Sequence, residues 1–187
     1  MSRASCKDTP HPGRYRSPRR HARRRRTTMP QDAGSSPNAI PWPPLIYMNA
    51  MLLAWTLEGL GPWAWLDQGL ATLPRSFGAI FFTLGLALDL WSIATLRRHR
   101  TTVLPHAGAS ALVTTGPYRF SRNPIYLGNT LALVGLAMML RWGWLLLLVP
   151  VTVTAVSWLA ISREEQHLAK RFGTQWTEYQ EKVRRWL

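Results

Sequence analysis

The sequence predicts an all-α integral membrane protein with about four transmembrane helices, the last two forming a tight hairpin, and a C-terminal amphipathic cytoplasmic helix. Three observations carry this. Four apolar runs, about residues 45–60, 76–96, 125–140 and 142–161, approach the ~20 residues a helix needs to cross the hydrocarbon layer. Of the 23 Lys and Arg residues, 21 fall on one side of those runs and two, Arg75 and Arg141, on the other. That asymmetry makes the chain multi-pass with its N- and C-termini both cytoplasmic. No stretch alternates apolar and polar residues as a half-buried strand does.

Residues 1–40 hold ten of the 23 basic residues, two acids and hardly any aliphatic side chain. Such a segment cannot bury a core and is expected to be a disordered basic tail, leaving residues 41–187 as one membrane domain. The net charge of +14 invites a nucleic-acid reading. The tail has a single aromatic, Tyr15, and no nucleic-acid module, so the expected partner of its Arg23–Arg26 run is an anionic lipid surface. A start at Met29, without the Arg-rich lead, is the alternative. Cys6 alone supports neither a disulfide framework nor a cysteine-based metal site, and the histidines lack metal-ligand spacing, so no metal is expected. The tail is not a secretory signal, because a Pro/Ser/Gly-rich linker over 30–44 separates its basic cluster from the first apolar run.

The first run carries Glu58 near its end and is short unless the helix begins in the stretch Pro41–Pro44. Gly61-Pro62 and Pro74 bound a loop, Ser76 is placed to cap the second run, and Arg97-Arg98-His99-Arg100 stops it. Asp89 lies inside that run, where an acid is a functional candidate by default. Only Arg141 and nearby Gly143 separate the third and fourth runs. Pro150 should kink the fourth, with Thr152 and Thr154 available to satisfy the freed carbonyl. Beyond it, Leu168, Phe172 and Trp176 recur four apart, Tyr179 and Val183 continue the stripe, and Gly173 should divide the helix. This amphipathic segment either lies on the lipid or folds back over the loop that precedes the third run.

That loop is the stretch the chain is organised around. Gly116-Pro117 and Asn123-Pro124 are turn dipeptides seven residues apart, and each proline biases its predecessor away from helix. Between and beside them stand Tyr118, Arg119, Arg122 and Tyr126. Because an antiparallel hairpin returns the chain to the side it left, Glu164-Glu165 at the end of the fourth run should face this loop. Aromatic faces, an arginine, an amide and two carboxylates together suit a zwitterionic ligand with a flat ring and a positive centre. The bland alternatives are that the two acids are a solvated helix start favoured by the helix dipole and that Arg119 is a basic anchor.

Three motifs, in order, resemble the isoprenylcysteine carboxyl methyltransferase family and its phospholipid N-methyltransferase relatives. They are Thr101-Thr-Val-x-Pro105; Leu112-Val-Thr-Thr-Gly-Pro-Tyr-Arg-x-x-Arg-Asn-Pro-x-Tyr-x-Gly128; and Glu164-Glu-x-x-Leu-x-x-x-Phe-Gly-x-x-Trp-x-x-Tyr179. The resemblance covers roughly residues 100–187. It implies a membrane methyltransferase with S-adenosylmethionine in a cytoplasmic pocket, capped by the C-terminal helix, and a lipophilic or small acceptor entering from the bilayer. Carried over by position, Leu112, Val113, Tyr118, Asn123, Pro124 and Tyr126 would line the cofactor pocket. Glu164 and Glu165 would hold its polar end, and Arg122, Asn123 and Glu165 would serve the chemistry.

The eukaryotic prenylcysteine enzymes read Arg-His-Pro where this chain reads Arg122-Asn123-Pro124. Asn123 can hydrogen-bond as histidine does but cannot titrate. A carboxylate acceptor needs no base, since it is ionised at neutral pH, whereas a protonated amine or a thiol must lose a proton. Prenylcysteine-type carboxylate, lipid amine and thiol therefore all stay open. Two other functions compete: an NADPH-dependent membrane reductase of the sterol-reductase type, and a non-catalytic membrane adaptor acting through its basic tail.

Overall fold

The computed structural model describes residues 42–61, 64–99 and 111–187, and all regular structure among them is helical. The basic tail, Thr101–Pro105 and Arg100 lie outside these residues. In chain order the elements are α1 (Trp42–Leu60), α2 (Ala64–Thr72), α3 (Arg75–Arg98), a 3-10 turn (Gly116–Arg119), α4 (Pro124–Leu140), α5 (Gly143–Val156), a π turn (Ser157–Ile161), α6 (Ser162–Phe172) and α7 (Thr174–Lys182).

Two stretches are long and apolar enough to cross a membrane: α3, and the continuous rod from Gly143 to Phe172. This differs from the four predicted runs. At 17 residues, α4 spans only ~25 Å at ~1.5 Å per residue. The first helix does begin in the proline-rich stretch, with Pro43 and Pro44 in its opening turn, where a missing N–H costs nothing. Its apolar surface is interrupted by Asn49, Thr56 and Glu58. The loop expected over 61–75 contains α2. Ser76 does not cap α3: the helix starts at Arg75, behind Pro74 in extended conformation, with no side-chain cap. Large apolar side chains stand exposed along the helices, among them Met48, Trp55, Phe81, Leu84, Val151 and Trp158. Such a continuous apolar surface is matched to lipid rather than water.

Antiparallel helices α3 and α4 meet along a seam of four glycines. A Cβ at Gly85 would lie 2.5 Å from the carbonyl oxygen of Gly128, and one at Gly78 would lie 2.8 Å from that of Gly135. Gly128 and Gly135 are equally blocked by Asp89 and by the Phe82 backbone. The pairs sit seven residues apart on each helix, so one face of each carries the contact. Close backbone approach of this kind drives helix association where lipid leaves no hydrophobic gain. Two hydroxyls of α3 are satisfied within the helix, Ser92 donating to Leu88 O at 2.7 Å and Thr95 to Trp91 O at 2.8 Å.

A two-residue turn joins α4 to α5. Arg141 adopts the left-handed conformation (φ 60°, ψ 38°), and Trp142 N donates to Ala137 O at 3.0 Å. Glu58 of α1 accepts from Trp144 N at 3.0 Å, and Trp144 Nε1 donates to Gly61 O at 2.9 Å, tying α1 to the start of α5. Ala54, Leu133, Ala137 and Leu145 bury one another beside this junction. Within α5, Thr152 donates to Leu148 O and Thr154 to Pro150 O. Neither reaches Leu146 O, the carbonyl that Pro150 leaves without its helical donor.

After Val156 the rod widens into the π turn, and Ser162 Oγ donates to Ser157 O five residues back at 2.8 Å. Inserting one residue there rotates everything that follows, including both glutamates. Such insertions concentrate at functional sites. Gly173, at φ +53°, divides α6 from α7 as the sequence predicts.

Candidate functional site

The 3-10 turn docks on the end of α3 because position 116 is glycine. Its φ is +61°, and a Cβ there would come within 2.8 Å of Thr95 Oγ1, so both conformation and space exclude a side chain. His99 secures the same corner through contacts with Thr95 O at 2.9 Å and Thr115 Oγ1 at 3.3 Å. Pro117 and Pro124 are fully buried and fix the two bends of the loop.

Of the two surfaces open to the C-terminal stripe, it takes the loop. Trp176, Tyr179 and Val183 form a buried cluster with Leu112, Leu168 and Phe172 around it. Tyr179 Oη donates to Tyr118 O at 2.6 Å. Backbone joins backbone where Arg122 N donates to Arg184 O at 3.0 Å, and Asn123 Nδ2 donates to Arg185 O at 3.1 Å. Ser121 Oγ donates to the same carbonyl at 3.3 Å and accepts from Asn123 N at 3.1 Å. Trp186, like Trp42, Ile46 and Tyr47 of α1, packs against the buried cluster Tyr126, Val156, Ala160 and Ile161.

The two adjacent glutamates have different environments. Glu165 is buried and bracketed by two guanidinium groups. Arg185 Nη2 contacts its Oε2 at 2.5 Å, and Arg122 Nη1 stands 3.2 Å from its Oε1. Glu164 instead accepts from Tyr126 Oη at 3.1 Å. The second-nearest layer comes from α1, where Tyr47 Oη donates to Tyr126 O at 3.1 Å and meets Thr130 Oγ1 at the same distance.

Arg122 is only partly satisfied. The 3.2 Å contact lacks hydrogen-bond alignment, and its buried Nε has no hydrogen-bond partner among the described residues. Its guanidinium carbon lies 5.7 Å from the Trp176 ring centroid, a cation–π distance. Burial, helped by the negative charge of Glu164, pushes the Tyr118 phenol well above its usual range, and burial does the same to Tyr179. Both phenols are therefore neutral hydrogen-bonding groups at physiological pH.

Of the residues singled out in the sequence for the ligand site, the contacts above involve Leu112, Tyr118, Arg122, Asn123, Tyr126, Glu164 and Glu165, while Val113 and Pro124 are buried in the same loop and at the start of α4. They come from the loop, the start of α4 and the start of α6, against which the C-terminal tail packs. Arg119 is exposed and lies over Phe120, 5.6 Å from its centroid. Ser121, Arg185 and Tyr47 were not legible in advance. Ser121 and Arg185 act through contacts more than 60 residues apart in sequence, and nothing in their own neighbourhood marks them.

Residues 73–175, which include the glycine seam, the loop and both glutamates, match the phospholipid methyltransferase family. The chain belongs to that family. It includes isoprenylcysteine carboxyl methyltransferase-like proteins, so the motif resemblance and the match agree. Among curated proteins, the phospholipid methyltransferase-family chain is 26% identical over 136 residues to the nickel-cobalt-cadmium resistance protein NccN of Alcaligenes xylosoxydans xylosoxydans. That alignment covers 72% of this chain and 57% of the relative, so the chain spans less than two thirds of the relative's length. No solved structure matches. Among the described residues, no three His, Cys, Asp or Glu side chains gather into a group that could hold a metal ion.

Proposed function

We propose that this protein is an integral-membrane, S-adenosylmethionine-dependent methyltransferase acting on a lipophilic or small acceptor. Its family generally uses that cofactor, and the residues present fit it. S-adenosylmethionine offers a carboxylate, an ammonium, a sulfonium and a flat adenine ring. The buried Nε of Arg122 is a donor without an acceptor among the described residues, a place the cofactor's carboxylate can fill, and this is the single observation that carries the reading. Glu164 offers a carboxyl group to the cationic centre, whose positive charge would favour its ionised form, and Leu112, Val113 and Pro124 supply apolar lining. Tyr118, Asn123 and Tyr126 supply ring faces and hydrogen bonds. Glu165 acts by holding Arg122 and the C-terminal tail in register.

The cofactor, when bound, supplies an activated methyl group for in-line displacement. The chain's contribution is alignment and exclusion of water, and the C-terminal clasp is built for both. All four helices α1, α3, α4 and α5 cross the bilayer in this reading. The clustered basic residues place both termini and the site on the cytoplasmic side, so the acceptor enters laterally from lipid. The reductase and adaptor readings gain no support from family or geometry.

Calorimetry of S-adenosylhomocysteine binding to the detergent-purified full chain tests this. Saturable binding is expected, weakened about 10-fold to 100-fold by Glu164→Gln, as befits loss of a charged hydrogen-bond acceptor worth ~1.5–3 kcal/mol. Folded wild-type protein that binds none would overturn the proposal.

A further inference from the structure

The two glutamates that open α6 differ in one further respect: only one of them has counter-ions. Both nearby guanidinium groups, Arg122 of the loop and Arg185 of the tail, go to Glu165. Glu164 pairs with no Lys, Arg or His side chain among the described residues, and its Oε2 meets the Tyr126 hydroxyl at 3.1 Å. The groups that face it are acids and phenols: Glu165 beside it on α6, Tyr126 of α4 and Tyr118 of the 3-10 turn. Tyr47 of α1, Asp89 of α3 and Tyr179 of α7 are close enough to those two phenols to interact with them.

A carboxylate in such surroundings has no cation to offset the loss of its hydration. Burial, opposed in part by the Tyr126 hydrogen bond and reinforced by Glu165, raises the Glu164 carboxyl above its ordinary range; Glu164 stands on α6, beyond α5. Glu165 has its counter-ions before any ligand arrives and takes no part. The donor left open for a ligand, Arg122 Nε, belongs to the guanidinium that stands against Glu165. A ligand carboxylate held by that Nε therefore brings the ligand's positive charge to the side of the site where the unpaired glutamate stands. An arriving cation is the counter-ion that Glu164 lacks, and it favours the charged form of the carboxyl.

We propose that cofactor binding is coupled to loss of a proton from Glu164, so that this residue ties the affinity of the site to pH. This rests on the methyltransferase reading. In the empty site Glu164 is a neutral acid. In the occupied site its O–H bond is broken, the electron pair stays on the carboxylate oxygen, and the proton has passed to water. Tyr126 Oη donates to that carboxylate, which then pairs with the cofactor's positive centre, ammonium or sulfonium. Because binding releases a proton, affinity falls as pH falls. It changes about tenfold per pH unit while the empty site holds its proton, and levels off above that range.

The test uses the full chain in detergent and calorimetry between about pH 6 and 7, where the ligand's own amino group stays largely protonated. Repeating each titration in buffers of different ionisation enthalpy counts the protons exchanged. S-adenosylmethionine carries an ammonium and a sulfonium, S-adenosylhomocysteine the ammonium alone. Release of about one proton per site is expected. Release with both ligands assigns the partner charge to the ammonium, release with S-adenosylmethionine alone assigns it to the sulfonium, and either supports the proposal. Glu164→Gln is expected to bind without release and with an affinity that no longer rises with pH. Asp89→Asn is expected to release as wild type does. Binding of both ligands with no proton released would overturn the proposal. So would release that survives Glu164→Gln or disappears in Asp89→Asn; wild type and Asp89→Asn decide alone if Glu164→Gln does not fold. Failure of both ligands to bind folded wild-type protein would instead remove the methyltransferase reading.

Discussion

The seam between α3 and α4 and the clasp between the 116–126 loop and the C-terminal tail hold the same protein together by opposite means. In the seam, glycine backbone meets backbone, and the contact is shape alone, save for Asp89. In the clasp, an ion triad centred on Glu165 ties the loop to the C-terminal tail, and a buried amide and main-chain acceptors join segments more than 60 residues apart. Lipid supplies no hydrophobic gain between helices, so the seam depends on fit. The clasp lies where water competes for every polar group, so it depends on mutual satisfaction and burial. A seam of this kind tolerates no added atom. A clasp of this kind tolerates the loss of a partner only where water can replace it.

The largest effect should come from the clasp's centre. Glu165→Gln leaves Arg122, whose side chain is 9% exposed, as a buried charge without its counter-ion. Breaking such a pair costs ~3–5 kcal/mol. Denaturant unfolding in detergent should show that loss. Arg185→Gln touches the same carboxylate, but Arg185 is 40% exposed and water takes its place. Its loss should stay under ~1 kcal/mol. Equal losses for the two variants would mean that burial does not govern the triad.

Next is the seam. Gly85→Ala drives a methyl to 2.5 Å from Gly128 O and 2.6 Å from Ala132 N, backbone atoms that move only if a helix moves. Overpacking of this order costs ~1–3 kcal/mol, read as a lowered thermal midpoint. Gly69→Ala on α2, with nothing within 4 Å of the added methyl, is the matched control. It should be neutral or slightly stabilising, by up to ~1 kcal/mol of helix propensity.

How far each region was legible in the sequence follows from the same contrast. The loop could be read because Gly116-Pro117 and Asn123-Pro124 announce turns locally, and the stripe Leu168–Phe172–Trp176–Tyr179 announces a buried face by its spacing. Arg122, Asn123, Tyr126 and the two glutamates were therefore identifiable as neighbours. The division of labour between the glutamates was not. It depends on the π turn at Ser157–Ile161, which no residue pattern there foretells, and on Arg185, far along the chain. The seam was missed for a different reason. Glycines seven apart on each of two apolar runs look like ordinary membrane composition until the antiparallel pairing sets 78 against 135 and 85 against 128. Of the four expected crossings, α3 and the Gly143–Phe172 rod are long and apolar enough on their own. Seventeen-residue α4 and polar-studded α1 meet a single-helix criterion less well than α3 does.

An effect smaller at neutral pH than the losses at Glu165 and Gly85, and the one that separates the regions most cleanly, concerns Tyr179. Its hydroxyl donates to Tyr118 O at 2.6 Å, so Tyr179→Phe should cost ~0.5–1.5 kcal/mol by loss of one hydrogen bond. At high pH the comparison changes. Burial raises the Tyr179 and Tyr118 phenols above their usual value of 10.0. In the unfolded chain both ionise near pH 10, and in the folded clasp both stay protonated beyond it. Their contribution to stability is complete below pH 10 and is lost as pH rises from there through the raised folded values. Alkaline titration of unfolding should therefore fall less steeply in Tyr179→Phe than in wild type. Gly85→Ala should leave the slope unchanged, because the seam contact it disturbs contains neither phenol. If the slope is the same in Tyr179→Phe and wild type, Tyr179 ionises in the clasp as it does in water, and the 2.6 Å bond does not hold its proton.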